Sequence, residues 1–233
     1  MAKANVKIKD LAPGVVFNIG PAKAVILEHF ANGKTLLATS EPVGFRPFTV
    51  RPFFFVCPED EAPAPNNFAF ASLKNDLNTQ FLNAVEDGGV IPFDKIADAT
   101  WCLWDHLGGP GYGTVTCKIG LLTEPEVRKY FDAGLLKIDD WEWTLTPNAG
   151  NANNARHVNT GGSRNNNYAC NGHYGVRPAF YVESDTCISI EHDEVDLSDS
   201  ALLREFSSKQ LVEEVLRRIA AGETDDEGEG DDW

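Results

Sequence analysis

The sequence lacks the features that mark membrane-spanning, secreted and disulfide-rich proteins. No stretch approaches the roughly 18 apolar residues that a membrane span needs, and residues 1–10 have no apolar run of the kind found in signal peptides. The five cysteines are widely spaced and form no CxxC pair, which argues against a disulfide framework and a zinc ribbon. We therefore expect no signal peptide and no membrane insertion, in a protein made in the cytoplasm with free thiols.

Basic residues are scarce and unclustered. The chain has 20 Lys and Arg against 35 Asp and Glu, which gives a net charge of −15. Residues 191–233 hold 15 of the acidic and four of the basic residues, so this stretch carries −11 and the rest of the chain only −4. Because no basic stripe is present, we do not expect nucleic acid or anionic lipid as a partner.

Signatures of catalysis and of metal binding are also missing. The sequence has no HExxH motif, no Ser-His-Asp order and no glycine-rich loop of the GxxxxGK[ST] type. His157, Cys170 and His173 are the best set of zinc ligands, but their spacing is irregular. We therefore predict a protein that is not an enzyme and that has no cofactor and no metal.

A small antiparallel sheet is predicted near the N-terminus. Two apolar runs, 24–30 and 35–39, flank Asn32-Gly33, and an Asn-Gly pair supplies the positive φ angles of a two-residue type I′ turn. Residues 15–19 are expected to pair with this hairpin as a third strand. Six prolines between residues 41 and 67 exclude a regular helix, so this stretch is predicted to be a long ordered loop or an edge.

Two helices are predicted in the middle of the chain. In the first, apolar residues between 70 and 84 recur at spacings of three and four, and Ser72 is a candidate cap for its start. In the second, Thr123 and Glu126 have the spacing of a capping box, and Pro125 lies in the first turn, where its missing N–H does no harm. Both patterns indicate amphipathic helices that pack one face on the core.

Residues 148–174 form the most unusual segment. Nine of the 17 asparagines fall between 148 and 171, mixed with glycine, arginine, histidine and tyrosine. Asn and Gly favour turns, while Tyr, His and Arg supply contact area and directional donors, so the composition is typical of a binding loop. The alternative is a polar surface loop without a ligand. The predicted ligand-binding residues are Trp141, Asn151, Asn153, Asn154, Arg156, His157, Asn159, Arg164, Asn165, Asn166, Asn167, Tyr168, Asn171, His173 and Tyr174.

Two residues near this segment are assigned structural roles. Trp143 is expected in the core beneath the binding surface. A strand at 175–182 is predicted to close the body, and Arg177 within it is expected to donate hydrogen bonds to nearby carbonyls.

The chain is predicted to have three parts. Residues 1–190 form the ligand-binding domain, 191–222 a helical extension and 223–233 an acidic flexible tail. The extension has a broad apolar stripe, which either packs on its own domain or, through residues 198–222, contacts a larger assembly or a second copy of the chain. We favour the second alternative, because the body is predicted to be complete at Val182.

Five modest motifs follow one another along the chain: LLATS at 36–40, SLKNDLNTQFL at 72–82, GLLTEPEVRKYF at 120–131, WTLTP at 143–147 and GVRPA at 175–179. In their order and spacing they resemble a family of bacterial and phage domains with a C-type-lectin-like fold, related to the formylglycine-generating enzyme fold. They cover roughly residues 12–184, and no single one would suffice. In place of an arginine that the family often has between the Trp and the Thr-Pro, this chain has Leu145.

The resemblance implies an α+β fold of the C-type-lectin-like type, with small antiparallel sheets, two helices and long ordered loops. The same fold carries the variable target proteins of diversity-generating retroelements, in which a reverse transcriptase mutates template adenines and asparagine codons are preferred substrates. Their altered residues lie on the ligand-binding face between the last Trp motif and the closing strand, where residues 148–174 fall here.

The resemblance therefore implies a variable receptor-binding surface on a phage virion or a bacterial surface, with a protein or glycan on a cell as ligand. Two alternatives stay open. One is a structural virion decoration or assembly protein without a ligand, which binds a virion partner through residues 198–222. The other is an oxidase related to formylglycine-generating enzymes, although Cys170 and Cys187 stand in no motif of that family.

Overall fold

The computed structural model of the chain describes residues 3–50 and 64–191. The predicted helical extension beyond residue 191 and the predicted acidic tail lie outside these ranges. The described part is a mixed α+β structure of small antiparallel sheets and two helices. Its strands are β1 (Lys3–Lys7), β2 (Val16–Asn18), β3 (Lys23–His29), β4 (Lys34–Thr39), β5 (Ala99–Cys102), β6 (Thr114–Cys117), β7 (Ile119–Leu121), β8 (Glu142–Pro147), β9 (Asn154–Val158), β10 (Arg164–Tyr168), β11 (Pro178–Glu183) and β12 (Cys187–Glu191).

The central sheet has five strands in the order β2-β3-β4-β11-β7. The strand predicted at 175–182 is β11, and it pairs antiparallel with both β4 and β7, so a late segment of the chain closes a sheet that begins near the N-terminus. Leu36, Leu37 and Phe180 are fully buried in it. A second pairing joins β1 to β12, so the body continues beyond Val182, where the sequence predicted its end.

The hairpin of β3 and β4 forms where it was predicted, but its turn is longer. Phe30 N donates to Lys34 O at 2.8 Å and Gly33 N donates to Phe30 O at 3.0 Å, so three residues are enclosed and not two. Gly33 has φ +79°. This hydrogen-bond pattern is that of a turn followed by a left-handed residue, so the glycine of the Asn-Gly pair serves a three-residue loop.

The first predicted helix forms from three consecutive segments, α1 (Ser72–Asp76), a π-helical turn (Leu77–Phe81) and α2 (Leu82–Gly88). Ser72 does not cap it, because Ala71 occupies the N-cap and the Ser72 hydroxyl accepts from Val50 N. In the π-helical turn, Asn78 donates to Ile119 O at 2.8 Å and accepts from Ile119 N at 3.0 Å. The side-chain amide thereby satisfies the backbone of the edge strand β7.

The second predicted helix is α3 (Glu124–Asp132), and its capping box is present as predicted. Thr123 N donates to Glu126 Oε2 at 2.8 Å, and Glu126 N donates to Thr123 Oγ1 at 3.4 Å. Val127 and Tyr130 form its buried stripe. Within the described ranges, none of the helices combines the length and apolarity that a membrane crossing needs.

Candidate functional site

The asparagine-rich segment, predicted as a loop, contains a β-hairpin. Strands β9 and β10 pair antiparallel, and β9 pairs on its other side with β8, which gives a three-stranded sheet with β10 at its edge. All six residues of β8 are buried. The segment is therefore anchored on one side by a buried strand and displays its other strand at the edge of the sheet.

The register divides the predicted ligand-binding residues between two faces of this sheet. His157 lies opposite Asn165, whereas Arg156 lies opposite Asn166. Directly paired residues share a face and successive residues alternate between faces. Neighbouring asparagines in the sequence therefore point to opposite sides of the hairpin.

The exposure of the 15 predicted residues falls into three groups. His157 and Tyr174 are buried, each with 1% of its surface exposed. The half-buried residues are Asn154, Arg156, Asn159, Asn166, Asn167 and Asn171. The exposed residues are Trp141, Asn151, Asn153, Arg164, Asn165, Tyr168 and His173.

The buried residues form an aromatic cluster beneath the hairpin. The rings of Trp143 and Tyr174 lie 4.2 Å apart, His157 lies 4.4 Å from Tyr174, and Trp143 is 2% exposed, as predicted for a core residue. Trp141, half exposed, stacks on His157 at 5.7 Å with an interplanar angle of 12°. Burial lowers the pKa of His157, so its imidazole is neutral at pH 7.

Several of the asparagine side chains hold the segment in shape. Asn154 donates to Asn166 Oδ1 and Asn167 donates to the Tyr174 hydroxyl, both at 2.7 Å. Asn171 Oδ1 accepts from His173 N at 3.0 Å, an arrangement of the Asx-turn type. Part of the asparagine content therefore stabilises turns and strand pairing.

The start of the segment is held by Asn66, a residue that the sequence did not indicate. Asn66 is 1% exposed, and its amide donates to Asn154 O at 2.9 Å and to Asn148 O at 3.2 Å. The Tyr112 hydroxyl donates to Asn66 Oδ1 at 2.6 Å. One buried amide thus fixes backbone carbonyls across residues 148–154.

Two buried ion pairs join the three-stranded sheet to other parts of the fold. Arg177 donates from Nε and Nη2 to both carboxylate oxygens of Glu142, each at 2.7 Å, and also to the carbonyls of Thr39 and Lys137 at 2.8 and 2.9 Å. The predicted carbonyl-donor role of Arg177 is confirmed. Arg156 Nε donates to Glu124 Oε1 at 2.7 Å, with the two side chains 11% and 3% exposed.

A cavity of about 600 Å³ lies beside the hairpin. It is formed by β5 and the chain after it, the start of α3, Thr146 of β8, Arg164 of β10 and Tyr181 of β11. Sequence reasoning missed it, because its walls are brought together from distant parts of the chain. Its lining includes Trp101, Trp104, Asp105, His106, Leu107, Thr123, Glu124, Glu126, Thr146, Arg164 and Tyr181.

In the described part of the chain, no three His, Cys, Asp or Glu side chains converge on a position that could hold a metal ion. The three residues considered as zinc ligands in the sequence differ in exposure, since His157 is buried whereas Cys170 and His173 are exposed.

Comparison with known proteins identifies the family of the chain. No curated protein and no solved structure matches the chain significantly. A family model described as "Domain of unknown function (DUF6273)" matches residues 59–184, a range that includes the β9–β10 hairpin, the lining of the cavity and Arg177. Because this match covers more than half of the 233 residues, the chain belongs to the DUF6273 family.

Proposed function

We propose that this chain is a non-enzymatic binding protein of C-type-lectin-like fold, which recognises a protein or glycan ligand with the exposed side chains of the β9–β10 hairpin. Together with the exposed side chains of Trp141 and Asn153 next to the hairpin, we call these side chains the hairpin surface, which takes in both faces of the edge strand: Trp141, Asn153, Arg164, Asn165 and Tyr168. All five are exposed, and four of them lie within residues 148–174. The proposal extends to a variable surface of the diversity-generating-retroelement type, on a phage virion or a bacterial surface.

The proposal rests on one observation: the groups that hold the backbone of the hairpin differ from the side chains that the hairpin exposes to solvent. The backbone of the hairpin is held by the buried strand β8, by Asn66 and by the aromatic cluster. Arg164 and Asn165 are exposed on the edge strand, and the side-chain hydrogen bond of Asn165 is a local one, in which Oδ1 accepts from the next residue's backbone N–H at 2.8 Å. Surface substitutions away from such supports change stability by about 0.5 kcal/mol or less. These positions can therefore change while the fold is kept, which a diversified binding surface requires.

The binding proposal is tested with a Trp141→Ser, Asn165→Ser variant on a glycan array and on a panel of intact bacterial cells. We expect binding of the parent chain to be lost in the variant while the fold is kept, with a small fall in melting temperature because Trp141 stacks on His157. A matched control is the Phe93→Ser, Asn83→Ser variant, which removes an exposed aromatic and an exposed asparagine outside the hairpin. Equal binding by the first variant and the parent would contradict the proposal.

Diversification has an independent test in the surrounding DNA. We expect a reverse transcriptase gene nearby, together with an imperfect repeat of the segment that encodes residues 148–174. The two copies should differ at adenines of the template. A repeat that differs at all four bases equally would contradict this part of the proposal and leave the binding proposal to its own test.

A further inference from the structure

The cavity of about 600 Å³ beside the hairpin has the size of a small-molecule site, for which volumes of roughly 300–1,000 Å³ are typical. It lies where the loop after β5 faces the start of α3. Arg164 is the one residue of the hairpin surface that lines it, so the cavity is a separate candidate site. Its charges and hydrogen-bond groups determine which kind of ligand fits.

The start of α3 offers no donor to an anion. Glu124 N donates to Thr146 Oγ1 at 2.9 Å, Glu126 N is bonded to Thr123 Oγ1, and the residue between them is Pro125, which has no N–H. Two acidic residues, Glu124 and Glu126, also line the cavity. The usual anion site of a helix start is therefore occupied by the protein itself.

A cation is opposed by two positive features. Arg164 lines the cavity and forms no ion pair within the described residues, and the start of a helix carries about half a positive charge. The negative charge of Glu124 is already paired with Arg156. The remaining charges of the lining are the negative charges of Asp105 and Glu126 and the positive charges of Arg164 and the helix start. The net charge of the lining is therefore close to zero.

The lining keeps acceptors and donors available for a neutral ligand. Asp105 accepts backbone N–H groups only with Oδ1, and Glu126 accepts from Thr123 only with Oε2, so each carboxylate has a second oxygen to offer. His106 Nδ1 accepts from Ala149 N at 3.1 Å. In the neutral ring the proton is then on Nε2, which is a donor.

The aromatic residues of the lining provide one open face. Trp104 is 57% exposed, whereas Trp101 is 3% exposed and its indole N–H is bonded to Cys117 O. The rings of Trp101 and Tyr181 are tilted by 51°, so they do not form the parallel slot that a planar base would need. Burial raises the pKa of Tyr181 to about 12, so its hydroxyl stays protonated and can donate.

We propose that this cavity binds a neutral polyhydroxylated ring, a hexopyranose unit, without a metal ion. The ring hydroxyls bond to Asp105, Glu126, His106 and Arg164, and one C–H face of the ring lies on the indole of Trp104. Hydroxyl groups both donate and accept, so they match a lining that presents both kinds of partner. The site does not depend on the proposed role of Trp141 and Asn165.

The experiment is a titration with methyl α- and β-hexopyranosides of glucose, galactose and mannose, followed by saturation-transfer NMR and tryptophan fluorescence in the presence of EDTA. We expect at least one of them to bind, with the strongest transfer to ring C–H protons. Trp104→Ala should weaken binding at least tenfold and Trp104→Tyr should retain most of it. The matched control Phe93→Ala removes an exposed aromatic ring that lies outside both the cavity lining and the hairpin surface, and it should leave binding unchanged.

Three results would overturn the proposal. One is that none of the six glycosides binds to the folded parent chain. Another is equal binding by Trp104→Ala, and the third is tighter binding of adenosine, lysine or inorganic phosphate at the same cavity. Loss of cell or array binding in the Trp141→Ser, Asn165→Ser variant concerns the hairpin surface alone, so the two proposals fail separately.

Discussion

The ion pair of Arg156 and Glu124 gives the sharpest test of how the hairpin is supported. Arg156 was predicted from the sequence to bind ligand, but its Nε lies 2.7 Å from Glu124 Oε1 with little of either side chain exposed. Arg156→Met would leave the carboxylate of Glu124, a residue with 2% of its surface exposed, without its cation. We therefore expect this substitution to destabilise the fold.

The magnitude follows from burial. Removing one partner of a buried ion pair costs about 3–5 kcal/mol, and the start of α3 returns up to about 1 kcal/mol to the remaining carboxylate. A net loss of about 3 kcal/mol corresponds to a fall in melting temperature of roughly 6–12 °C for a domain of this size. Arg164→Met is the matched control, and we expect it to shift the melting temperature by less than about 2 °C, because Arg164 is exposed and forms no ion pair within the described residues.

The assay is thermal and urea unfolding of Arg156→Met, Glu124→Gln and the double variant. If the ion pair is formed, the double variant loses less stability than the two single variants together, by about 0.5–3 kcal/mol. An unchanged melting temperature in Arg156→Met would refute the assignment and return Arg156 to the ligand-binding surface. Strict additivity in the double variant would also refute it.

Three further predictions concern the core and the pH dependence of stability. Arg177→Met leaves a buried carboxylate and three carbonyls without their donor, so we expect a loss of at least about 3 kcal/mol in urea unfolding, and wild-type stability would contradict this. Gly120→Ala places a Cβ 2.6 Å from the Trp101 ring, so we expect a loss of about 1–3 kcal/mol and altered tryptophan fluorescence, and an unchanged spectrum and stability would contradict it. Because burial lowers the pKa of His157 below that of the unfolded chain, the unfolded state binds an extra proton below pH about 6.5 and stability falls there by up to about 1.4 kcal/mol per pH unit. Urea unfolding between pH 7 and 5 should show a reduced slope in His157→Asn and the parent slope in His173→Gln, and equal slopes in both variants would contradict the assignment.

Local chemistry explains which parts of the fold the sequence predicts well. The capping box of Thr123 and Glu126 and the apolar spacing of 70–84 depend on residues three or four apart, and both helices form. The turn at Asn32-Gly33 is located correctly, whereas its length is wrong, since an Asn-Gly pair fits both a two-residue turn and a three-residue loop that ends in glycine.

The parts that could not be predicted depend on residues far apart in the chain. Glu124 and Arg156 are 32 residues apart, and the two members of the Asn66–Asn154 hydrogen bond are 88 residues apart. The sequence around these residues does not indicate the pairs. A polar side chain has the same local sequence pattern whether it faces solvent or a buried group. The cavity was missed for the same reason, although an exposed Trp104 next to Asp105-His106 is a signal of a site once the walls are known.

The asparagines of residues 148–174 show why composition alone overestimates a binding surface. Asn154 and Asn167 donate to partners within the fold, so replacing either leaves a hydrogen-bond group unpaired at a cost of about 1–3 kcal/mol where it is buried. Asn165 and Arg164 are exposed on the edge strand, so substitutions there change the surface at little cost. A process that altered every asparagine codon of the segment would therefore damage the scaffold as well as vary the surface. If the segment is diversified, we expect folded variants to keep Asn154 and Asn167 and to differ at positions 164 and 165. The reason is that the hairpin needs the first two side chains for its stability, whereas changes at the other two positions leave it stable.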